Sequence, residues 1–317
     1  MKILVTGGAG FIGSHLCDEL IRLGHMIVAL DNLVLGRKEN ITHLFSNPSF
    51  SFIEGDILDT ILLDKTFAEN NFDIVFHMAA NSDIQKGGQD PMVDYELTFM
   101  TTFNILQQMR KHQVKKLVFA STSAIYGETT DLLTEDYGPL LPVSNYGASK
   151  LASEAYISAF SASYGIQTWI TRFPNVVGER FTHGVIFDFI KKLHKNPHEL
   201  EVLGNGEQFK PYVYVKDLVA AIIFVWKNAN DSFNVYNIGV ESRTKVKEIA
   251  QMVISAMGLS ASIAYTGGDR GWVGDVPEFK YDLTKVHKLG WHAQYTSNEA
   301  VKLAIEKALE HLKNTNS

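Results

Sequence analysis

Over the first 173 residues, short apolar runs alternate with longer amphipathic stretches. Residues 3–6 read as a buried strand. From Gly10 the apolar residues Phe11, Ile12, Leu16, Leu20 and Leu23 recur at helical spacing, and Gly24 ends the pattern. A second apolar run, 26–30, stops at Asp31. Residues 50–54, 74–77 and 116–120 read as further strands, separated by polar segments of helical length, and a long helix over 146–164 leads into a strand over 167–173. Strands that alternate with helices need crossover connections, so the sheet is predicted to be parallel and covered on both faces. Right-handed crossovers then give an α/β fold built on a doubly wound parallel sheet of the Rossmann type.

After Pro174 the rhythm changes. One helix among loops is expected over 181–203, strands over 212–215 and 235–238 flanking a helix over 217–226, and amphipathic helices over 246–257 and 298–312. The expected division is a dinucleotide-binding domain over 1–173, which segments of 212–240 rejoin, and a smaller region over 174–317 at the sheet's carboxyl edge. The longest apolar run, 218–226, is bounded by Asp217 and Lys227 and is too short to span a bilayer. Met1 leads straight into a strand rather than a signal peptide, so the expected address is the cytoplasm. A net charge of −6 with no cluster of Lys and Arg gives no footprint for nucleic acid. Cys17 is the only cysteine and lies on a core-facing helical pattern, which excludes an internal disulfide and a cysteine-based metal site; no metal is expected.

The candidate chemistry sits at the ends of the predicted strands. The segment TGGAGFIG (6–13) joins a strand to a helix, with Gly7, Gly8, Gly10 and Gly13 spaced for a tight turn, close approach to a pyrophosphate and close helix–strand packing. The helix start, at Phe11 and Ile12, adds free N–H groups and a partial positive charge. Asp31, on the next strand end, suits both hydroxyls of a ribose and would repel a 2′-phosphate, which favours NAD over NADP. Asp56, beside Ile57, and the small residues Ala79 and Ala80 fall at the same edge, and Asn32 follows Asp31. His77 reads as a packed strand-end histidine rather than a catalyst.

Tyr146 and Lys150 share a face if 146–164 is helical. A tyrosine of pKa about 10 must drop by about 3 units, or ~4 kcal/mol, to act as a base near neutrality. A cation ~4 Å away at an effective dielectric of ~20 supplies about that much, and an oxidised nicotinamide would help. The hydroxyls of 121–123 follow the strand 116–120, where Thr122 or Ser123 is placed to hold a substrate hydroxyl.

Together these segments resemble the extended short-chain dehydrogenases/reductases, specifically the nucleotide-sugar epimerase/dehydratase group. The matching stretches are TGGAGFIGSH (6–15), DNL (31–33), GDI (55–57), HMAA (77–80), STSAIYG (121–127), YGASK (146–150), RFPNVVG (172–178), LGNGEQFKPYVYVKD (203–217) and RGWVGDVP (270–277). The last is similar to the subgroup of UDP-glucose 4-epimerases. The resemblance implies Tyr146 as general base, Lys150 as its electrostatic partner and Thr122 as the catalytic hydroxyl. It places Gly7, Gly10, Phe11, Ile12, Gly13, Asp31, Asn32, Asp56, Ile57, Ala79 and Ala80 on the cofactor, NAD. On the UDP-sugar it places Ser82, Ser123, Asn175, Lys210 (where many members have an arginine), Arg270, Asp275 and Phe279, the last near the sugar's C2 substituent.

The implied activity is UDP-glucose/UDP-galactose interconversion through a 4-keto intermediate. Alternatives are a UDP-glucuronate or UDP-N-acetylhexosamine 4-epimerase, a 4-keto-sugar reductase, a 4,6-dehydratase, and a catalytically silent NAD-binding scaffold. Dehydratases carry acids directly after the catalytic hydroxyl; here Ser123 and Ala124 stand there, which counts against that activity. Two further departures are Thr98 in place of the usual asparagine and Pro174 before Asn175. The family's pairing mode implies a homodimer through helices over about 91–112 and 146–164.

Overall fold

The computed structural model describes residues 1–315 apart from Thr182, Trp272, Val273 and Asp275. Asp275, assigned above to the uridine side, therefore lies outside the described residues. The centre is a seven-stranded sheet. Five strands come first in the chain: β1 (Lys2–Thr6), β2 (Met26–Asp31), β3 (Phe50–Glu54), β4 (Ile74–His77) and β5 (Lys116–Thr122). Beyond β5 lie Gln167–Phe173 and then Phe233–Asn237, so the spatial order runs from Phe233–Asn237 through Gln167–Phe173, β5, β4, β1 and β2 to β3, every neighbour parallel.

Strand alternation sends residues to two faces. Ile3, Val5, Ile27, Ala29, Ile74, Phe76 and Val118 pack in one cluster with Leu16 and Leu20 of the helix Phe11–Arg22 and Leu218 and Ile222 of Val215–Asn228. Leu4, Val28, Leu30, Val75, Leu117, Phe119 and Ile170 face the other way, onto Leu63 and Phe67 of Thr60–Asn70, Ile105 and Leu106 of Thr101–Lys111, and Ile157 of Asn145–Tyr164. Burial on both faces is why these strands read as unbroken apolar runs rather than as alternating ones.

A third cluster lies in the C-terminal region. Helices Val185–Lys195, Val246–Ala256 and Ser297–Thr315 pack with the parallel pair Glu199–Val202 and Ser262–Tyr265. The segment 212–240 divides. Phe233–Asn237 joins the edge of the main sheet, whereas Tyr212–Tyr214 pairs with Asn175–Val177 outside it. Strand β5 runs two residues past its expected end because pairing continues through Ser121 with Arg172 and Thr122 with Phe173. Thr122 is therefore fixed by the sheet rather than carried on a loop.

Chain order reverses between β1 and β4. Strands β2 and β3 lie to one side and β4 and β5 to the other, so the connections out of β1 and β4 leave in opposite directions. A crevice opens there at the carboxyl ends, the usual binding place in an open α/β sheet.

Candidate active site

The turn after β1 is closed by glycines with no space for anything larger. A β-carbon on Gly13 would lie 2.0 Å from the Gly7 carbonyl oxygen, and one on Gly8 would lie 2.6 Å from the Ala29 methyl; Gly7 itself has φ +67°. Gly10 is the N-cap of Phe11–Arg22, whose first turn carries no acidic residue, so its N–H groups and positive end are open to an anion. Asp31 ends β2, is buried, and accepts from the N–H groups of Ala9 at 3.0 Å and Leu33 at 2.9 Å. Burial pushes its carboxyl up, while backbone donors including Gly10 hold it down. Asp56 accepts from Asn32 Nδ2 at 2.9 Å and from the Leu58 N–H at 2.8 Å. A glycine turn too tight for a β-carbon, an open helix N-terminus and a ribose-height carboxylate fit a dinucleotide.

One cleft joins these parts. It is lined by Gly7, Gly10, Phe11, Ile12, Gly13, Asp31, Asn32, Asp56, Ile57, Ala79 and Ala80, and by Ser82, Tyr146 and Lys150. Leu97, Thr101, Ala120, Phe173 and His183 also line it. Sequence reasoning missed these five. They reach the cleft only through the packing of distant segments, and of the five only Phe173, in RFPNVVG, falls within a matching stretch.

Tyr146 sits in the first turn of Asn145–Tyr164, whose N-cap Ser144 accepts from the Gly147 N–H at 3.1 Å. The Thr122 hydroxyl hydrogen-bonds to Tyr146 and favours the phenolate, and it also accepts from the Ala124 N–H at 3.1 Å. Lys150, 2% exposed, donates from Nζ to the Ala120 carbonyl at 2.8 Å and lies 4.7 Å from the Phe119 ring centre and 6.0 Å from that of Tyr146. Burial lowers Lys150 to about 7, against the pull of Glu154 and Asp94.

In the chain alone, burial pushes the Tyr146 phenol up to about 12, the Thr122 hydrogen bond lowers it, and the Asp94 charge raises it. The drop expected of Tyr146 therefore has to come from Lys150 and an oxidised nicotinamide acting together against that burial.

His77 is buried, bonded through Nδ1 to Thr6 Oγ1 at 2.6 Å and through Nε2 to Thr102 Oγ1 at 3.1 Å, and burial drives it down to about 3. It is a neutral packing residue.

The remaining substrate-side residues lie apart from the cleft lining. Ser123 opens the short turn Ser123–Tyr126. Asn175 is exposed at the start of Asn175–Val177. Lys210 is buried in Phe209–Lys210, which pairs with Thr244–Lys245. Arg270 is half-exposed and gripped by Glu128 at 2.8 and 2.9 Å. Phe279 is 7% exposed and packs edge-on against Tyr281, with ring centres 5.6 Å apart.

A buried polar group beneath the site was also missed. Arg172 grips both oxygens of Glu154, the shortest bond being 2.7 Å, and donates to Tyr126 Oη at 3.0 Å; Ser121 donates to Glu154 at 2.5 Å. The spacing of Lys150 and Glu154, four apart, was its visible sign. Among the described residues no group of three His, Cys, Asp or Glu side chains is arranged to hold a metal ion. No helix among them is long and apolar enough to cross a membrane.

The NAD dependent epimerase/dehydratase family profile matches residues 3–239. A putative UDP-glucose 4-epimerase of Methanocaldococcus jannaschii is 36% identical over 96% of this chain and 97% of its own. A crystal structure of a UDP-galactose 4-epimerase superposes with a TM-score of 0.88 at 39% identity, covering 98% of this chain and 100% of that one. The UDP-glucuronic acid 4-epimerase of Bacillus cereus, solved with UDP-glucuronic acid and NAD, gives 0.89 at 27% identity over 98% of this chain and 100% of that one. The chain belongs to the NAD-dependent epimerase/dehydratase family, and its cofactor is NAD.

Proposed function

We propose that this enzyme inverts C4 of a UDP-hexose, interconverting UDP-glucose and UDP-galactose through a 4-keto sugar. One observation carries the reading. Tyr146 and Lys150 line the cleft together with Ser82, Ala120, Phe173 and His183, Thr122 hydrogen-bonds to Tyr146, and none of these side chains is a carboxylate. Dehydration needs an acid to expel the C6 hydroxyl. The positions after Thr122 are Ser123 and Ala124, neither of them acidic, and Glu128 is paired with Arg270. The site is thus equipped for reversible proton and hydride chemistry but not for loss of a hydroxyl.

Bound NAD supplies the redox half, taking hydride from C4 and returning it to the opposite face, and its positive ring helps offset the cost of ionising Tyr146. The chain does the rest. Tyr146 accepts the O4 proton and later gives one back; Thr122 donates to the Tyr146 oxygen and so stabilises the phenolate. Lys150, anchored on the Ala120 carbonyl, contributes its charge from below. Asp31 and the glycine turn hold the dinucleotide, and residues beyond Phe173 contribute to the sugar nucleotide's side.

The test is conversion of UDP-galactose by purified protein of verified NAD content with no cofactor added. UDP-glucose formation that disappears in Tyr146→Phe is expected. Absence of product from the unaltered, NAD-loaded protein would overturn the assignment for this sugar pair.

We also propose a homodimer. Met92, Tyr95, Tyr156 and Tyr164 are 50%, 46%, 43% and 37% exposed, and rings link the two helical segments, Phe99 lying 5.3 Å and Phe103 5.5 Å from Tyr156. An aromatic patch of this kind suits a second copy of the same face.

A further inference from the structure

One carboxylate on the helix Phe11–Arg22 reaches two distant parts of the chain. Asp18 lies in the second turn of that helix. Its Oδ1 accepts from His43 Nε2 at 2.6 Å, and its Oδ2 forms an ion pair with Arg180 Nη1 at 2.8 Å. The two partners come from opposite sides of the sheet. His43 belongs to the connection after β2, and Arg180 follows Asn175–Val177, which succeeds the strand Gln167–Phe173; β2 lies on one side of β1 and Gln167–Phe173 on the other. Both stretches contribute to the cleft: Val34, Leu35 and Gly36 precede His43, and His183 follows Arg180.

The segment 178–181 is held at successive residues. The Glu179 carboxylate accepts from Tyr214 Oη at 2.7 Å and pairs with Lys216 Nζ at 2.7 Å, which ties it to the start of Val215–Asn228. The Glu179 carbonyl accepts from His15 Nε2 at 3.1 Å, on the same helix as Asp18. Arg180 stands at φ +67°, a left-handed conformation that a residue with a β-carbon keeps only where its surroundings hold it. The next residue, Phe181, packs on Phe11 with ring centres 6.1 Å apart, and Phe11 lines the cleft at the helix start. An ion pair on an open surface contributes little. This one is partly enclosed, the Arg180 and Asp18 side chains being 24% and 32% exposed, and it fixes the residue next to a ring that packs on the cleft lining.

We infer that Asp18 is a positioning residue for NAD: by holding Arg180 and His43 to the helix whose start is open to the pyrophosphate, it keeps both flanks of the cleft in place and slows release of the dinucleotide. Asp18 is not among the residues that line the cleft and acts through its two partners. The link to Arg180 carries more of the effect, because it fixes Phe181 against Phe11. The connection bearing His43 has a second anchor in Asn40, whose Nδ2 donates to the Ala9 carbonyl at 2.9 Å. The inference concerns the cofactor and does not depend on which sugar is turned over.

The test measures how fast NAD leaves. Protein loaded with tritium-labelled NAD is chased with excess unlabelled NAD, and the label retained is followed by filtration, with no sugar present. Arg180→Met and Asp18→Asn are each expected to release the label severalfold faster than the unaltered protein. The double variant should be no faster than Asp18→Asn alone, because both changes break one link. Arg180→Lys, which keeps the charge, should recover slow release. Glu19→Gln breaks the neighbouring exposed pair with Arg22 on the same helix and should leave the rate unchanged. Unchanged release from folded Arg180→Met, single effects that multiply in the double variant, or an equal acceleration in Glu19→Gln would overturn the inference. Should Asp18→Asn not fold, Arg180→Met compared with Arg180→Lys decides alone. Failure to convert a UDP-hexose would defeat the proposed function and leave this result standing.

Discussion

Lys150 donates from Nζ to the main-chain carbonyl of Ala120 at 2.8 Å, which ties the helix bearing Tyr146 to the carboxyl end of β5. The bond fixes the ammonium below the phenol, and Thr122, two residues on in the same strand, meets that phenol from the side. Lys150→Met removes both the tie and the charge. We expect kcat to fall by about 10²- to 10⁴-fold, with bound NAD also reduced because Lys150 lines the cleft. Steady-state assay with UDP-galactose and quantification of NAD released on denaturation measure the two effects.

His77 makes stability depend on pH. In the folded chain it is held down to about 3, against an ordinary value of 6.5, by burial. Between those values the unfolded chain binds the extra proton and the folded chain does not. Stability from this group is therefore lost as pH falls from about 6.5 toward 3 and is complete above that window. Urea denaturation across this range should show a flatter pH dependence in His77→Gln than in the unaltered protein. Parallel curves would show that His77 carries none of the slope.

Glu154→Gln should be strongly destabilising. It leaves the buried Arg172 guanidinium, 6% exposed, without its counter-charge, at a cost of about 3–5 kcal/mol. The double variant Glu154→Gln, Arg172→Met removes both charges and should recover part of the loss. Chemical denaturation of these two, of Arg172→Met alone and of the unaltered protein gives the coupling directly.

Phe279, expected near the sugar's C2 substituent, packs against Tyr281, whose ring lies 6.1 Å from that of Tyr126. Phe279→Gly should therefore lower stability by about 3 kcal/mol or more. A variant of unchanged stability that admits UDP-N-acetylglucosamine would show a role in the sugar pocket rather than in the core.

Light scattering of the eluting protein should give the mass of two chains. Tyr156→Glu, which places a charge in the exposed aromatic patch, should shift it to one. A single-chain mass for the unaltered protein at micromolar concentration would dismiss the pairing.

The sheet was legible because strands such as Lys2–Thr6, Met26–Asp31 and Ile74–His77 are short apolar runs that alternate with longer segments of helical length. The cofactor residues were legible for a related reason. Gly7 to Gly13 and Asp31 act through local turn geometry at strand ends, and that geometry is written in adjacent residues. The extra length of β5 was not, because Ser121 and Thr122 are polar and their strand conformation comes from pairing with Arg172 and Phe173, fifty residues away. The same holds for His183 and Leu97, which meet the cleft only after the chain has folded. The raised Tyr146 pKa was invisible for a third reason. Four-residue spacing shows that two side chains share a helix face, but not that the lysine turns down to a strand carbonyl while the ring is enclosed.

The most direct test follows deuterium placed at C4 of UDP-galactose. If Tyr146 handles the O4 proton while C4 exchanges hydride only with bound NAD, the UDP-glucose formed in ordinary water keeps its label at C4, and Tyr146→Phe forms none. Loss of the label to solvent, or conversion at an undiminished rate in Tyr146→Phe, would contradict the account.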